Sequence, residues 1–205
     1  KRLDAVIGTH PHSDHIGGMA QIIREFEIGQ VYLPEAVANT SAFEDLLLSI
    51  QEKGLRVEGA KAGATINIDS AVRIIFLAPM GSSYGNLNDY SAVIKITYGK
   101  TSFLLTGDAG ALSEEEMIQS GADLKSDVLK VGHHGGSDAT SFAFLEKVAP
   151  KYAVISVGLG NSYGHPDKET LDRLAFFKIS VFRTDIDGTI SFISDGKTLR
   201  AQKQI

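Results

Sequence analysis

The chain has no cysteine and no tryptophan, and only 5 prolines among its 205 residues. The lack of cysteine excludes thiolate metal sites, thiol nucleophiles and disulfide bonds. Long hydrophobic runs are also missing, since the longest, such as residues 71–77, are far shorter than a membrane span. We therefore expect no intrinsic membrane insertion. Basic residues are fewer than acidic ones: the chain has 20 Lys and Arg and 25 Asp and Glu, which gives a net charge of −5. A role with nucleic acid would thus depend on a local patch or on metal ions.

What remains is a composition typical of a soluble globular chain, with 43% hydrophobic and 22% charged residues. The length and the lack of linkers predict a single domain over residues 1–205. Short apolar runs that predict strands alternate with segments of helical spacing, and two of these helices are predicted to begin at the capping boxes Ser41 with Glu44 and Ser113 with Glu116. This order favours a layered α/β or α+β fold with mixed sheets. The alternation by itself also allows a doubly wound parallel sheet.

All six histidines lie in loops that follow apolar strands. The densest group is the motif T-H-P-H-S-D-H at residues 9–15. In an extended segment His10 and His12 point to the same side and could grip one metal ion. Asp14 and His15 lie where the chain turns toward the next helix, so they could reach a second ion. Imidazole and carboxylate ligands together suit Zn²⁺, Mn²⁺ or Fe²⁺.

Three later loops carry further candidates. Asp108 follows an apolar strand, and its two carboxylate oxygens could bridge two cations. His133 and His134 stand side by side in the motif G-H-H-G-G-S, and His165 lies in the motif Y-G-H-P before another helix. Hydroxyl and N–H donors close to a predicted helix start form a candidate anion site, at Ser137, Thr140 and Ser141.

Taken in order, the motifs T-H-P-H-S-D-H-I-G-G, L-L-T-G-D, L-K-V-G-H-H-G and Y-G-H-P resemble the metallo-β-lactamase superfamily. Within it they are most similar to the C-terminal domain of the ComEC DNA-uptake proteins and their stand-alone relatives. The resemblance implies a four-layer αββα sandwich with mixed sheets and a two-metal site at one edge. It also implies that further strands precede the first motif, so we expect an N-terminally truncated domain whose first sheet lacks an edge.

The resemblance also implies a set of site residues. The expected ligands are His10, His12 and His133 for the first ion, Asp14, His15 and His165 for the second, and Asp108 bridging both. Many relatives carry a further histidine where this chain has residues 86–91, so the third ligand of the first ion stays open between His133 and the alternatives Asn88 and Asp89. The side chains expected to meet phosphate oxygens or the leaving group are His134, Ser137, Thr140 and Ser141. The catalytic set is Asp14, Asp108 and His134.

These features predict a two-metal hydrolase that cleaves phosphodiester bonds, with Mn²⁺ or Zn²⁺ as cofactor and DNA, as a single strand, as substrate. Two other hypotheses remain: another hydrolase of this fold, acting on a phosphocholine ester, lactone, thioester or lactam, and a non-catalytic module that binds nucleic acid. In a ComEC-like context the partner would be the membrane channel domain of the same protein, and the domain would lie at the extracytoplasmic face of the membrane. A stand-alone relative would be secreted or cytoplasmic.

Overall fold

The computed structural model describes the backbone of residues 1–204 and the side chains of residues 1–203. The strands are β1 Arg2–Ile7, β2 Glu27–Leu33, β3 Val57–Gly59, β4 Thr65–Ile66, β5 Val72–Ala78, β6 Val93–Tyr98, β7 Thr101–Leu105, β8 Val128–Lys130, β9 Tyr152–Ile155, β10 Ser180–Arg183, β11 Thr189–Ser194 and β12 Leu199–Gln204. The α-helices are α1 Ser13–Ile16, α2 Met19–Glu25, α3 Ser41–Glu52, α4 Ala111–Gln119, α5 Phe142–Val148, α6 Lys168–Phe176 and α7 Thr184–Asp187.

The strands form three sheets. Strands β1, β2 and β3 make a parallel sheet, with β1 at one edge. Seven strands form a mixed sheet in the order β10-β9-β8-β7-β6-β5-β4, in which β7 to β10 are parallel and β4 to β7 are antiparallel. The third sheet is the hairpin β11-β12. The mixed sheet excludes the doubly wound parallel alternative.

Three apolar cores separate four layers. Helices α2 and α3 pack on the outer face of the small sheet through residues such as Ile23 and Leu46. The two sheets face each other across a core that includes Tyr32 of β2 and Phe76 of β5. Helices α4, α5 and α6 cover the outer face of the seven-stranded sheet, where Leu104 is fully buried. This arrangement confirms the predicted αββα sandwich with mixed sheets.

Two helix starts differ from the sequence prediction. Helix α3 is capped by Thr40 rather than by Ser41, because the Thr40 hydroxyl accepts the N–H of Phe43 at 3.3 Å. Helix α4 begins after Gly110, which offers no side-chain cap. Ser113, predicted to cap that helix, instead lies buried inside it. A serine followed three residues later by a glutamate can stand at the N-cap or one or more positions inside the helix. The sequence pattern alone therefore could not place the cap.

The C-terminal ends of β7, β8 and β9 meet at one edge of the large sheet, since these strands are parallel neighbours. The loop after β1 reaches the same edge, where the carbonyl of Thr9 accepts the N–H of Ala92 at 2.8 Å. Every motif singled out above lies in the loops that follow these four strands. No helix among residues 1–204 has the length and apolar character that crossing a bilayer requires. The single-domain organisation and the further strands before β1 remain predictions.

Candidate metal centre

Four ligand atoms from three of these loops converge at the sheet edge. One ligand atom each from Asp14, His15, Asp108 and His134 lie within 4.8 Å of one another. The Oδ2 atom of Asp108 is 3.1 Å from Nε2 of His15 and 3.4 Å from Nε2 of His134. Oδ2 of Asp14 is 3.3 Å from each of the same two nitrogens. We call this group the four-ligand cluster.

Asp108 is the buried centre of the cluster, with only 3% of its surface exposed. Its N–H donates to the Ser91 hydroxyl at 3.0 Å, and Gly107 before it adopts φ +54°. A Cβ at Gly107 would approach Thr9 and Ser91 to 3.1 and 3.2 Å, so glycine is needed for both the turn and the close packing. Burial alone would raise the pKa of Asp108, but the adjacent His134 and His15 rings, which donate to the carboxylate when they are protonated, lower it well below its ordinary value.

The protein fixes which ring nitrogen of each cluster histidine faces inward. Nδ1 of His134 lies 2.7 Å from the carbonyl oxygen of Ser156, an atom that can only accept, so this nitrogen carries the proton. Nδ1 of His15 lies 3.2 Å from the Thr9 hydroxyl, which can accept in the same way. The Nε2 lone pairs of both rings are then directed at Asp108. Such outer hydrogen bonds orient histidine ligands in metal sites.

His10 and His12 form a pair beside the four-ligand cluster. His10 is 1% exposed, and its Nδ1 lies 3.2 and 3.3 Å from the hydroxyls of Thr9 and Ser91. Its Nε2 is 3.0 Å from Nδ1 of His12 and 3.8 Å from Oδ2 of Asp108. Burial, followed by the charge of His15, lowers the pKa of His10 to about 3. The ring is therefore neutral and able to bind a cation near neutral pH.

His133 faces away from the four-ligand cluster, although it is adjacent in sequence to His134. Its Nδ1 lies 2.8 and 3.0 Å from the two carboxylate oxygens of Asp138, and its Nε2 is 3.4 Å from the amide nitrogen of Asn88. The hydrogen bond with Asp138 raises the pKa of His133. Asn88 thus contacts His133 rather than the cluster. Burial and the nearby Glu116 raise the pKa of Asp89, which also lies outside the cluster.

His165 also lies outside the four-ligand cluster. Among the described residues its buried Nδ1 has no hydrogen-bond partner, and Oδ1 of Asp167 is 3.7 Å from it. Its ring is nevertheless 5.5 Å from that of His133, centroid to centroid. All six histidine rings are joined in one series in which neighbouring centroids are 4.2 to 6.4 Å apart. The structure therefore brings all three histidine loops to one edge.

The side chains expected to contact phosphate mostly hold their own loop. The Thr140 hydroxyl, in a residue only 1% exposed, accepts the N–H of Gly132 at 3.3 Å. The Ser141 hydroxyl caps α5 by accepting the N–H of Phe144 at 3.2 Å. The N–H of Ser137 donates to the carboxylate of Asp167 at 2.7 Å. These polar groups stabilise the loop from inside the protein, and Ser137 alone keeps an exposed side chain.

Two residues that sequence analysis missed stabilise the loop that follows β8 by hydrogen bonds to its backbone. Backbone N–H groups of Thr140 and Ser141 donate to the buried carboxylate of Glu114 in α4, the latter at 2.9 Å. The guanidinium of Arg173 donates to the carbonyls of Ser137 and Ala139, each at 3.0 Å. Neither residue belongs to a sequence motif. Only the packing of α4 and α6 against the loop brings Glu114 and Arg173 to its backbone.

The loop needs this support because its backbone is strained. His133 and His134 have φ values of +45° and +52°, so two successive non-glycine residues adopt the left-handed region. Each such residue costs about 1–3 kcal/mol and persists only where the surroundings determine its conformation. The left-handed turn is also what sends two neighbouring histidines to different places. The spacing of residues in the sequence does not indicate that the side chains of His133 and His134 point to different partners.

We expect Glu114→Ala to lower the free energy of unfolding by roughly 2–4 kcal/mol, because it leaves two buried N–H donors without an acceptor. Thermal unfolding should then begin at a clearly lower temperature, by about 2–4 °C for each kcal/mol. Differential scanning calorimetry checks this against Glu115→Ala, which removes an exposed carboxylate from the same helix. Equal unfolding temperatures in the two variants would show that Glu114 does not support the loop.

The donor set fits divalent metal ions. Oδ1 of Asp108 is buried and, within the described part of the chain, has no hydrogen-bond partner. Nε2 atoms of His15 and His134 approach each other to 3.2 Å although both carry lone pairs in the arrangement above. An unpartnered buried carboxylate oxygen beside converging imidazole lone pairs is the pattern that a cation satisfies. His10 and His12 add a second pair of donors nearby, with Nε2 of His10 3.8 Å from Oδ2 of Asp108.

Comparison with known proteins agrees with this fold. The sequence model described as Metallo-beta-lactamase superfamily matches residues 1–158. The chain therefore belongs to the metallo-β-lactamase superfamily. The structure of CmlA, a diiron beta-hydroxylase from Streptomyces venezuelae, has a similar fold, with a TM-score of 0.61 at 14% identity over 99% of this chain and 45% of CmlA. At that identity the likeness concerns the fold alone.

Particular relatives confirm the narrower resemblance to competence proteins. ComE operon protein 3 of Bacillus subtilis is 34% identical over 192 residues, which are 94% of this chain and 25% of that protein. Competence protein ComA of Neisseria gonorrhoeae is 30% identical over 204 residues, 99% of this chain and 27% of that protein. Recombination protein 2 of Haemophilus influenzae is 30% identical over 191 residues, 92% of this chain and 22% of that protein. The chain thus spans about a quarter of the length of these relatives.

Proposed function

We propose that the chain is a two-metal phosphodiesterase that cleaves DNA as a single strand. The observation that carries the proposal is the buried carboxylate of Asp108 between the inward-facing Nε2 atoms of His15 and His134, with the His10 and His12 pair beside it. The class of substrate is supported by the names of the relatives, which are competence and recombination proteins.

The geometry favours a ligand assignment that differs from the one drawn from sequence. His10, His12 and Asp108 would hold the first ion. Asp14, His15, His134 and the same Asp108 would hold the second, so that His134 takes the place first given to His165. Divalent ions at such a site neutralise phosphate charge and make a water molecule a stronger nucleophile near neutral pH. They would also offset the net negative charge of the chain toward a nucleic acid.

His133 is then free for a different task at the edge of the site. Its hydrogen bond with Asp138 fixes the ring orientation and favours the protonated form. A cationic imidazole beside His134 can donate to a phosphate oxygen or to the departing oxygen of the cleaved ester. The role that sequence analysis gave to His134 therefore falls to His133, while Asp138 positions it.

The longer relatives suggest where such an enzyme works. Because the chain spans about a quarter of their length, we place it within a larger protein, beside a membrane channel domain at the extracytoplasmic face of the membrane. There it would degrade the strand that is not taken up.

The experiment is a substrate panel on the protein loaded with Mn²⁺ or Zn²⁺. We expect cleavage of single-stranded DNA and of bis-p-nitrophenyl phosphate, and loss of both activities in EDTA with recovery on adding metal. Nitrocefin, a thioester and a phosphocholine ester test the other hydrolase reactions. Hydrolysis of one of these without cleavage of any phosphodiester would overturn the proposal. DNA binding without any hydrolysis in metal-loaded protein would favour a non-catalytic module.

A further inference from the structure

An exposed aromatic ring stands at the end of the histidine series. The ring of Tyr163 lies nearly parallel to that of His165, with an interplanar angle of 17° and centroids 6.1 Å apart. The His165 ring in turn contacts that of His133, which is next to His134 of the four-ligand cluster. Tyr163 is 82% exposed, so its outer face is open to solvent.

The loop that carries Tyr163 is closed by its own hydrogen bonds. Asn161 accepts the N–H of His165 at 3.1 Å and donates to the carbonyls of His165 and Gly158 at 2.7 and 3.1 Å. Three bonds from one side chain therefore span the base of the turn on which Tyr163 stands. The ring is presented to solvent by an ordered backbone, which reduces the entropy that a bound ligand must overcome.

Tyr163 differs from the other exposed aromatic rings of the described chain. Phe142 and Phe176 are 51% and 70% exposed, but their rings pack edge to face with centroids 5.5 Å apart, and Phe177 packs against both. Tyr163 instead lies beside a single aromatic ring among the described residues, that of His165, and most of its surface is open to solvent. It also lies beyond residues 1–158, the part that matches the family model.

We propose that Tyr163 is a stacking platform for one nucleobase of a single-stranded substrate whose phosphate lies at the metal centre. This inference rests on the proposed function and adds to it a residue that binds the strand. Every base has an apolar aromatic face, so stacking holds a strand without reading its sequence. An acidic protein also gains from such a contact, because it adds affinity without needing basic side chains.

The first test is binding of a fluorescein-labelled phosphorothioate oligothymidylate, which resists hydrolysis, to the Mn²⁺-loaded protein. Fluorescence anisotropy should give a Kd about tenfold weaker for Tyr163→Ala than for the wild type, the order of effect expected for losing one stacked base. Tyr163→Trp should bind within about twofold of wild type. Phe176→Ala, which removes another exposed ring, should bind as the wild type does. A wild type that does not bind, or a Tyr163→Ala variant that binds equally well, overturns the inference.

The second test locates the stacked base. Oligothymidylates with one abasic nucleotide at successive positions are compared as substrates. In the wild type, one position should lower kcat/KM about tenfold, and in Tyr163→Ala the same abasic site should have no further effect, because ring and base are energetically coupled. Hydrolysis of bis-p-nitrophenyl phosphate should be equal in both proteins. Additive losses at every position would refute stacking while leaving the phosphodiesterase intact. Failure of the wild type to cleave any phosphodiester would instead refute the proposed function.

Discussion

Asp108→Asn is expected to lower metal occupancy at both sites and to reduce the rate of diester hydrolysis by at least about 100-fold, because the proposed assignment makes Asp108 a ligand of both ions. Weakening only the outer partners of a metal ligand already costs about 10–100-fold. The substitution keeps the size of the side chain and removes its charge, so the two cations would repel each other with less compensation. The buried, unpartnered Oδ1 and the contact of Oδ2 with His15 at 3.1 Å give both oxygens of this carboxylate a place at the site.

The measurement is metal stoichiometry by elemental analysis beside the rate with bis-p-nitrophenyl phosphate. Asp172→Asn is the matched control, since it removes one carboxylate from an exposed pair with Lys168 on α6. That control should keep full metal content and activity. Full metal loading and a near-normal rate in Asp108→Asn would show that the carboxylate is only a turn residue, and the two-metal mechanism would fail with it.

The second large effect separates two neighbouring histidines. His134→Gln should remove the second ion, because the proposed assignment makes Nε2 of His134 one of its ligands and the Ser156 carbonyl fixes the orientation of the ring. His133→Gln should keep both ions and lower kcat roughly 10–1,000-fold, the loss that follows removal of a general acid or of one preorganised donor. The pair is matched in residue type and in backbone conformation, so differences in folding should be small.

Metal content and the pH dependence of kcat distinguish the two roles. In the wild type, the raised pKa of His133 should place the loss of activity at high pH above the ordinary titration of histidine, since the protonated form is the one proposed to donate to the substrate. The carboxylate of Asp138 stabilises the protonated His133 ring, so His133 loses its proton at a higher pH than an ordinary histidine. In His133→Gln the fall of kcat at high pH that is due to His133 should disappear. Metal loss in His133→Gln with full metal in His134→Gln would restore the assignment drawn from sequence.

Much of this molecule could be predicted from local patterns. Spacing of apolar residues is set by the two faces of strands and helices, so it predicted the alternation of strands and helices that the fold shows. The helix caps predicted at Ser41 and Ser113 were wrong, because a cap depends on the exact entry of the chain into the helix: Thr40 caps α3, and α4 begins after Gly110. The resemblance predicted one edge for the metal site, and the structure gives the reason: the parallel strands β7 to β9 end on the same side, and the loop after β1 reaches that edge.

The amino-acid sequence by itself determined the kind of chemistry: histidine and carboxylate ligands without any thiol, gathered in loops after apolar strands. Only the tertiary structure decided which of these side chains converge. His133 and His134 are indistinguishable in a motif, and a left-handed backbone sends one to Asp138 and the other to Asp108. That turn is maintained by groups distant in sequence, such as Glu114, whose contacts exist only after the layers have packed. Side-chain direction in strained loops depends on such long-range contacts, which local patterns do not record.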